Sequence, residues 1–133
     1  MNIFAHIIVN MIAGALLKYS FQWDWKLLII FIIAGAAIDI DHLLFFIFKY
    51  KEINPKNWIV IGKEYRNKMQ PGLYVFHSPE FNIILLLFSF INEIILIILI
   101  SNLIHISLDI FEHYHYHKNL SWIKKWSVVY SLK

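Results

Sequence analysis

The sequence predicts an all-α membrane protein: a membrane-embedded bundle of about four helices, with a basic loop between the second and the third. Hydrophobic residues make up 59% of the 133-residue chain and the mean hydropathy is +0.60, well above the values of soluble domains. Apolar runs of helical length alternate with short polar stretches, and such a chain has too little polar surface to cover a soluble globule. The length favours a single domain, residues 1–133.

The positive charges are distributed as at the edges of a membrane. Of the twelve lysines and arginines, six lie between Lys49 and Lys68 and four lie between Lys118 and Lys133. Cationic blocks beside long uncharged runs favour a lipid bilayer as partner and argue against nucleic acid. By the positive-inside rule, we expect a protein integral to the cell membrane, with these blocks on the cytoplasmic side.

The first two apolar segments, Ile3 to Tyr19 and Trp25 to Phe48, are each long enough to form a helix through most of a bilayer. A basic loop, 49–76, follows them, and we expect a short amphipathic piece within it, around Trp58 to Tyr65. The tail, 118–133, alternates tryptophan with lysine, a pattern typical of an amphipathic segment that lies on a membrane surface.

The third apolar region runs from Phe81 to Phe111 and is interrupted at Asn92 and Glu93. It is compatible with one span plus an extension, or with a hairpin of two helices that turns near Asn92. At the start of this region, Ser78 fits an N-cap, Pro79 the first helical position and Glu80 the first turn.

Carboxylates in the apolar segments have no basic partner nearby in the sequence. From Met69 to His117 there is no lysine or arginine, yet four acidic residues fall there: Glu80, Glu93, Asp109 and Glu112. A carboxylate in a low-dielectric environment is protonated or finds a cation. A bound metal ion is one such counter-charge, and a buried hydrogen-bonded polar network is the alternative.

The spacing of histidines and aspartates favours the metal. His105 and Asp109 are four residues apart, and Asp39 and His42 are three apart, so each pair shares a helix face. Either pair alone arises often by chance, but their joint occurrence in a chain with so few intramembrane charges is a much stronger signal. Mixed imidazole and carboxylate ligands suit zinc first, with manganese or iron as alternatives.

The order of these motifs resembles a known family of small bacterial and archaeal integral-membrane proteins, the YdjM type, which are described as membrane-bound metal-dependent hydrolases. The matching residues are His6, then Asp39-Ile40-Asp41-His42, then His77-Ser78, then His105 and Asp109. The resemblance implies a four-helix membrane domain with a metal site, and a hydrolase activity that is assigned to the family more than demonstrated. Two departures stand out: of the family's His-Arg-Gly-x-Thr-His-Ser only His77-Ser78 is present, and Ile38 replaces a frequent proline.

The candidate metal ligands are therefore the seven matching acidic and imidazole side chains: His6, Asp39, Asp41, His42, His77, His105 and Asp109. Asp41 or Glu80 would bridge two metal ions or act as the general base. His77 would be a metal ligand or the general acid that protonates the leaving group. Glu80 also has a purely structural interpretation as a first-turn acid. A shared site requires the hairpin, because a single crossing would leave His105 and Asp109 on the membrane face opposite His77.

The function predicted on this basis is a membrane-bound metal-dependent hydrolase that acts on a phosphoester or another ester through a metal-activated water. The placement of the residues near the membrane surface suggests an amphiphilic or lipid-like ester. The alternative is a non-catalytic membrane protein that uses the His and Asp residues for metal or ion binding or for helix assembly. A third class is a membrane-anchored interaction protein whose basic loop and tail recruit a partner or anionic lipid.

Overall fold

The computed structural model describes residues 3–54, 57, 60, 74–118, 120 and 123–131, and every regular element in them is a helix. In chain order these are α1 (Ile3–Phe21), α2 (Trp25–Ala37), α3 (Ile40–Tyr50), α4 (Pro79–Ser89), α5 (Glu93–His117), a 3₁₀ turn (Ile123–Trp126) and α6 (Val128–Ser131). The predicted all-α class is confirmed.

The predicted second segment is two helices, α2 and α3, joined by a tightened turn at Ile38 and Asp39. Both residues keep right-handed helical backbone angles, and the His42 amide donates to the Asp39 carbonyl three residues back, at 3.0 Å. One turn earlier, the Gly35 carbonyl accepts a hydrogen bond from His105 on α5 at 2.8 Å. A side chain that enters the ladder of backbone hydrogen bonds is a common cause of a break in a helix.

The third apolar region is a hairpin, as one of the two sequence interpretations required. Helices α4 and α5 pack against each other, and residues 90–92 connect them. Asn92 caps α5 by accepting hydrogen bonds from the amides of Ile94 and Ile95, at 2.8 and 3.4 Å. At the other end of the hairpin, Ser78 is the predicted N-cap of α4 and accepts from the Phe81 amide at 3.1 Å.

Helix α5 is central to the bundle, since it packs against α1, α2 and α4, and α1 also packs against α2. Among the described residues, much of the buried interior is polar, while large apolar side chains such as Leu16, Phe90 and Ile91 point outward. Two stretches, Trp25–Tyr50 and Glu93–His115, are long and apolar enough to cross a membrane.

The predicted basic loop and tail are described only in part. Helix α3 continues to Tyr50, and residues 55–56, 58–59 and 61–73, with most of the predicted amphipathic piece, lie outside the described residues. In the tail, Trp126 is buried and forms a small apolar core with Tyr74, which Phe45 and Ile110 flank. Part of the tail therefore packs onto the helical bundle.

Candidate metal centre

Three histidines and two aspartates meet where α1, the α2–α3 turn, the start of α4 and the middle of α5 converge. We call them the His/Asp cluster: His6, Asp39, His77, His105 and Asp109. Asp109 lies at its centre, with Oδ1 3.4 Å from the His6 Nε2 and Oδ2 3.2 and 3.4 Å from the Nε2 atoms of His77 and His105. The His105 Nε2 also lies 3.4 Å from Asp39 Oδ1.

The cluster is almost sealed from solvent. The side chains of His77 and His105 are fully buried, and those of His6 and Asp109 are nearly so. Asp39 is the most accessible member, with 18% of its side chain exposed. Asp39 is therefore the member of the cluster that is most open to its surroundings.

The orientation of the His105 ring is fixed by α2. Its Nδ1 lies 2.8 Å from the Gly35 carbonyl oxygen. A carbonyl can only accept, so Nδ1 carries a proton and donates it. The Nε2 atom is thereby left to face Asp39 and Asp109.

The orientation of the His77 ring is fixed by Asp41. The Asp41 Oδ2 accepts hydrogen bonds from the backbone amides of Phe76 and His77, at 2.6 and 3.2 Å, and lies 3.3 Å from the His77 Nδ1. A carboxylate acceptor selects the tautomer with a proton on Nδ1, so the His77 Nε2 is directed at Asp109. Metal-binding histidines almost always donate their other ring N–H to a carboxylate or a backbone carbonyl, and His77 and His105 show one case of each.

The distances within the cluster fit shared coordination better than direct hydrogen bonds. Four ligand atoms placed tetrahedrally about 2.0–2.1 Å from zinc lie about 3.3 Å apart, and the contacts to Asp109 measure 3.2–3.4 Å. Charge-assisted N–H···O bonds are shorter, about 2.7–2.9 Å. The Nε2 atoms of His77 and His105 and the Asp109 Oδ2 are buried, and none forms a hydrogen bond within the described part of the chain. The group is thus able to hold a metal ion.

Electrostatics around His77 also favour a cation. Burial alone would lower the pKa of this histidine, but the nearby carboxylates of Asp109 and Asp41 outweigh burial and raise the pKa above its ordinary value. The two carboxylates that stabilise a proton on His77 would equally stabilise a metal cation.

Two predicted ligands, Asp41 and His42, contact His77 but do not belong to the His/Asp groups whose ligand atoms lie close enough together to hold a metal ion. Asp41 stands behind His77, as described above. The His42 ring packs against the rings of His77 and Tyr74, with both centroid distances at 4.9 Å. A ligand role for either residue stays a prediction.

Glu80, predicted as a candidate catalytic residue or ligand, contacts the tail. Its carboxylate accepts hydrogen bonds from the Ser127 hydroxyl and from the amides of Val128 and Val129. No ion pair or hydrogen bond joins Glu80 to the His/Asp cluster among the described residues, so its catalytic role remains a prediction without contact support.

Sequence reasoning missed a second α2–α5 contact one turn from the cluster. The Ser101 hydroxyl donates to the Phe31 carbonyl at 2.7 Å, just as His105 donates to Gly35. The donors are four residues apart on α5 and the acceptors four apart on α2, so the two contacts repeat with the helical turn. The spacing of Ser101 from His105 was the available signal.

Asn10 is a further buried polar residue of α1. It lies one turn after His6, and its side chain is 1% exposed. A Cβ atom on Gly35 would lie 2.2 Å from the Asn10 Nδ2, so the glycine is what admits this amide to the interior. Neither polar atom of the amide has a hydrogen bond within the described residues.

Comparison of the chain with models of known protein families, with curated proteins and with solved structures found no match. The resemblance to the YdjM type therefore stays a prediction that depends on the motifs.

Proposed function

We propose that this chain is an integral membrane protein whose His/Asp cluster binds a divalent metal ion, and that it hydrolyses a phosphoester or another ester at the membrane surface. The observation that carries the proposal is the convergence of two buried, oriented imidazole nitrogens, from His77 and His105, on one oxygen of Asp109. The hydrolase part rests further on the motif resemblance.

The membrane part of the proposal follows from the distribution of apolar surface and charge. In this proposal the chain crosses the membrane four times, through α1, through α2 with α3, through α4 and through α5, and the His/Asp cluster lies toward the face at which α1 begins. The sequence positions of ten of the twelve cations then assign them to that side, which the positive-inside rule makes the cytoplasmic one. Helix α4 has only 11 residues, about 16 Å against roughly 30 Å of hydrocarbon, so the turn at 90–92 lies within a locally thinned bilayer.

The donor set favours zinc, with manganese or iron as alternatives. Three imidazoles and two carboxylates form a mixed nitrogen and oxygen set, whereas calcium and magnesium prefer oxygen alone. His6, His77, His105 and Asp109 are the proposed ligands, and Asp39 is a fifth donor at the accessible edge.

A bound divalent metal would supply Lewis acidity, polarising the ester oxygen and making a water molecule more acidic. Asp39 is placed to assist because it is the most exposed member of the cluster and its Oδ1 faces His105. Its Oδ2 is the proposed acceptor of the proton from water. Asp41 keeps the His77 ring in one tautomer throughout.

A non-catalytic role in ion or metal binding is the second candidate, and Asn10 and Ser101 favour it. Both side chains are buried one helical turn further along the bundle than His6 and His105. Polar groups at that depth are expected of a protein that holds or passes ions, and a hydrolytic site at the membrane edge has no need of them.

The test is turnover of amphiphilic phosphoesters and carboxylic esters by the zinc-loaded protein in lipid vesicles. We expect metal-dependent hydrolysis that Asp109→Asn and Asp39→Asn abolish, while Asp24→Asn, at the exposed N-cap of α2, retains it. Stoichiometric metal without turnover of any ester would favour the non-catalytic role. Absence of metal binding would contradict both.

A further inference from the structure

The tail lies directly against the candidate metal centre. We call residues 123–131, the 3₁₀ turn and α6, the tail segment. The Trp126 ring lies 5.5 Å from the His77 ring, centroid to centroid, and Trp126 is only 8% exposed. The tail segment therefore contributes a buried aromatic ring that packs against His77, one of the proposed metal ligands.

Trp126 is one of several rings that pack against the His77 imidazole. Within the described part of the chain, the rings of His42, His105 and Tyr74 also pack against it, at 4.9, 5.5 and 6.1 Å. All three come from the helical bundle or from the residues just before α4. Trp126, in contrast, comes from the far end of the described chain.

A second contact attaches the tail segment to the same short stretch. Three residues after His77, the Glu80 carboxylate accepts hydrogen bonds from the Ser127 hydroxyl and the Val128 and Val129 amides. Ser127 directly follows Trp126 in the chain. Residues 77–80 and 126–129 thus contact each other at two points. The His77 ring packs against the Trp126 ring, and the Glu80 carboxylate accepts hydrogen bonds from residues 127–129.

We propose that Trp126 and Glu80 are positioning residues of the metal centre: Trp126 holds the His77 imidazole with its Nε2 on Asp109, and Glu80 keeps Trp126 in place. This inference rests on the proposed metal binding. It gives Glu80 a structural task in place of the catalytic one that its position in the sequence suggested. It also makes the tail segment part of the site.

The first test is the rate at which zinc passes from the loaded, detergent-purified protein to a chelator. We expect Glu80→Ala and Trp126→Ala to release zinc about tenfold faster, because loss of the groups that orient a ligand weakens metal binding by about 10–100-fold. Trp126→Phe keeps an aromatic ring and Glu80→Gln keeps an acceptor, so both should lie nearer the wild type.

Matched controls are available for each variant. Glu93 is the first-turn acid of α5, the other helix of the hairpin, and is exposed; Trp25 is a tryptophan with 69% exposure at the start of α2. Glu93→Ala and Trp25→Ala should release zinc at the wild-type rate. Equal release from all four alanine variants would overturn the proposal.

The second test does not depend on metal. In the metal-free protein, ¹⁵N imidazole NMR signals of His77, assigned by their loss in His77→Gln, should shift in Trp126→Ala and Glu80→Ala, while those of His105 stay in place. Unchanged His77 signals would overturn the positioning role, even if zinc binds.

If the wild type binds no zinc, the proposed function fails, and the His77 signals alone decide the positioning role. If the alanine variants do not fold, Trp126→Phe and Glu80→Gln must produce smaller shifts in the same signals.

Discussion

Two histidines contact the same oxygen of Asp109, but different parts of the molecule hold them. His105 is oriented by a backbone carbonyl of α2, at Gly35, within a contact between two regular helices. His77 is oriented by the side chain of Asp41 and enclosed by the tail residue Trp126. One half of the site therefore depends on helix register, and the other depends on side chains that are distant in the sequence.

The difference indicates where the site is robust. The α2–α5 half repeats its contact one turn away, through Ser101, so no single hydrogen bond fixes the register. The His77 half has several contacts of different kinds, and each one is a separate point at which a substitution can loosen the site. Perturbing each half in turn tests this comparison.

The largest effect is expected where the two halves meet. Asp109→Asn removes the charge shared by His77, His105 and His6, so zinc affinity should fall by more than about 100-fold, beyond the loss expected from changing a supporting residue. The measurement is competition for zinc against a chromophoric chelator. A variant with wild-type affinity would show that Asp109 is not a ligand.

The second largest effect should come from a substitution that disturbs the contact between α2 and α5. A Cβ atom on Gly35 would lie 2.2 Å from the Asn10 Nδ2 and 2.7 Å from the Ser101 Oγ. Gly35→Ala should therefore lower the stability by about 1–3 kcal/mol, the usual cost of overpacking a core. Thermal unfolding in detergent measures this loss, and zinc affinity should fall with it.

Gly14→Ala is the matched control, since Gly14 meets mainly the Leu28 methyl end and the Phe31 ring edge, at 2.8 and 3.0 Å. The flexible Leu28 side chain can yield, so its cost should be smaller. A cost at Gly14 that equals or exceeds the cost at Gly35 would contradict this account of the α2–α5 contact.

A more selective effect is expected in the His77 half. Asp41→Asn removes the carboxylate that orients the His77 ring and receives the Phe76 and His77 amides, so zinc affinity should fall by about 10–100-fold. The Gly35 contact of His105 should persist, as its imidazole NMR signals would report. Unchanged zinc affinity in Asp41→Asn would mean that the His77 orientation does not depend on Asp41.

The two halves also differ in how far the sequence could predict them. The His105 and Asp109 pair and the Ser78 cap follow from local spacing and capping chemistry, so the sequence predicted them. The hairpin near Asn92 was one of two interpretations that the sequence left open. The Asp41 contact with His77 and the Glu80 contact with the tail join residues 36 and 47 or more positions apart. No local pattern encodes such pairs.

The break between α2 and α3 was hidden for a different reason. Neither Ile38 nor Asp39 is a glycine or a proline, and both keep helical backbone angles. The contact that accompanies the break is the His105 hydrogen bond to Gly35, which exists only once α5 has packed against α2. The break between α2 and α3 thus accompanies tertiary packing, and the helix propensities of Ile38 and Asp39 did not predict it.

The smallest effect concerns the tail. The Glu80 carboxylate accepts hydrogen bonds from the amides of Val128 and Val129, at 3.2 and 3.3 Å. A charged acceptor forms stronger hydrogen bonds than a neutral one, so the amide NMR shifts of Val128 and Val129 should differ between wild type and Glu80→Gln. Identical shifts in the two proteins would contradict the contact.

Metal binding by the His/Asp cluster is tested most simply by the metal content of the detergent-purified protein, measured by elemental analysis after incubation with zinc and removal of the excess. We expect about one or two bound equivalents, the number that one compact His/Asp group can hold, and their loss when His77 and His105 are both changed to glutamine. No bound metal in the wild type, with the double variant merely less stable, would contradict it. The cluster would then be a buried polar network that holds the helices together.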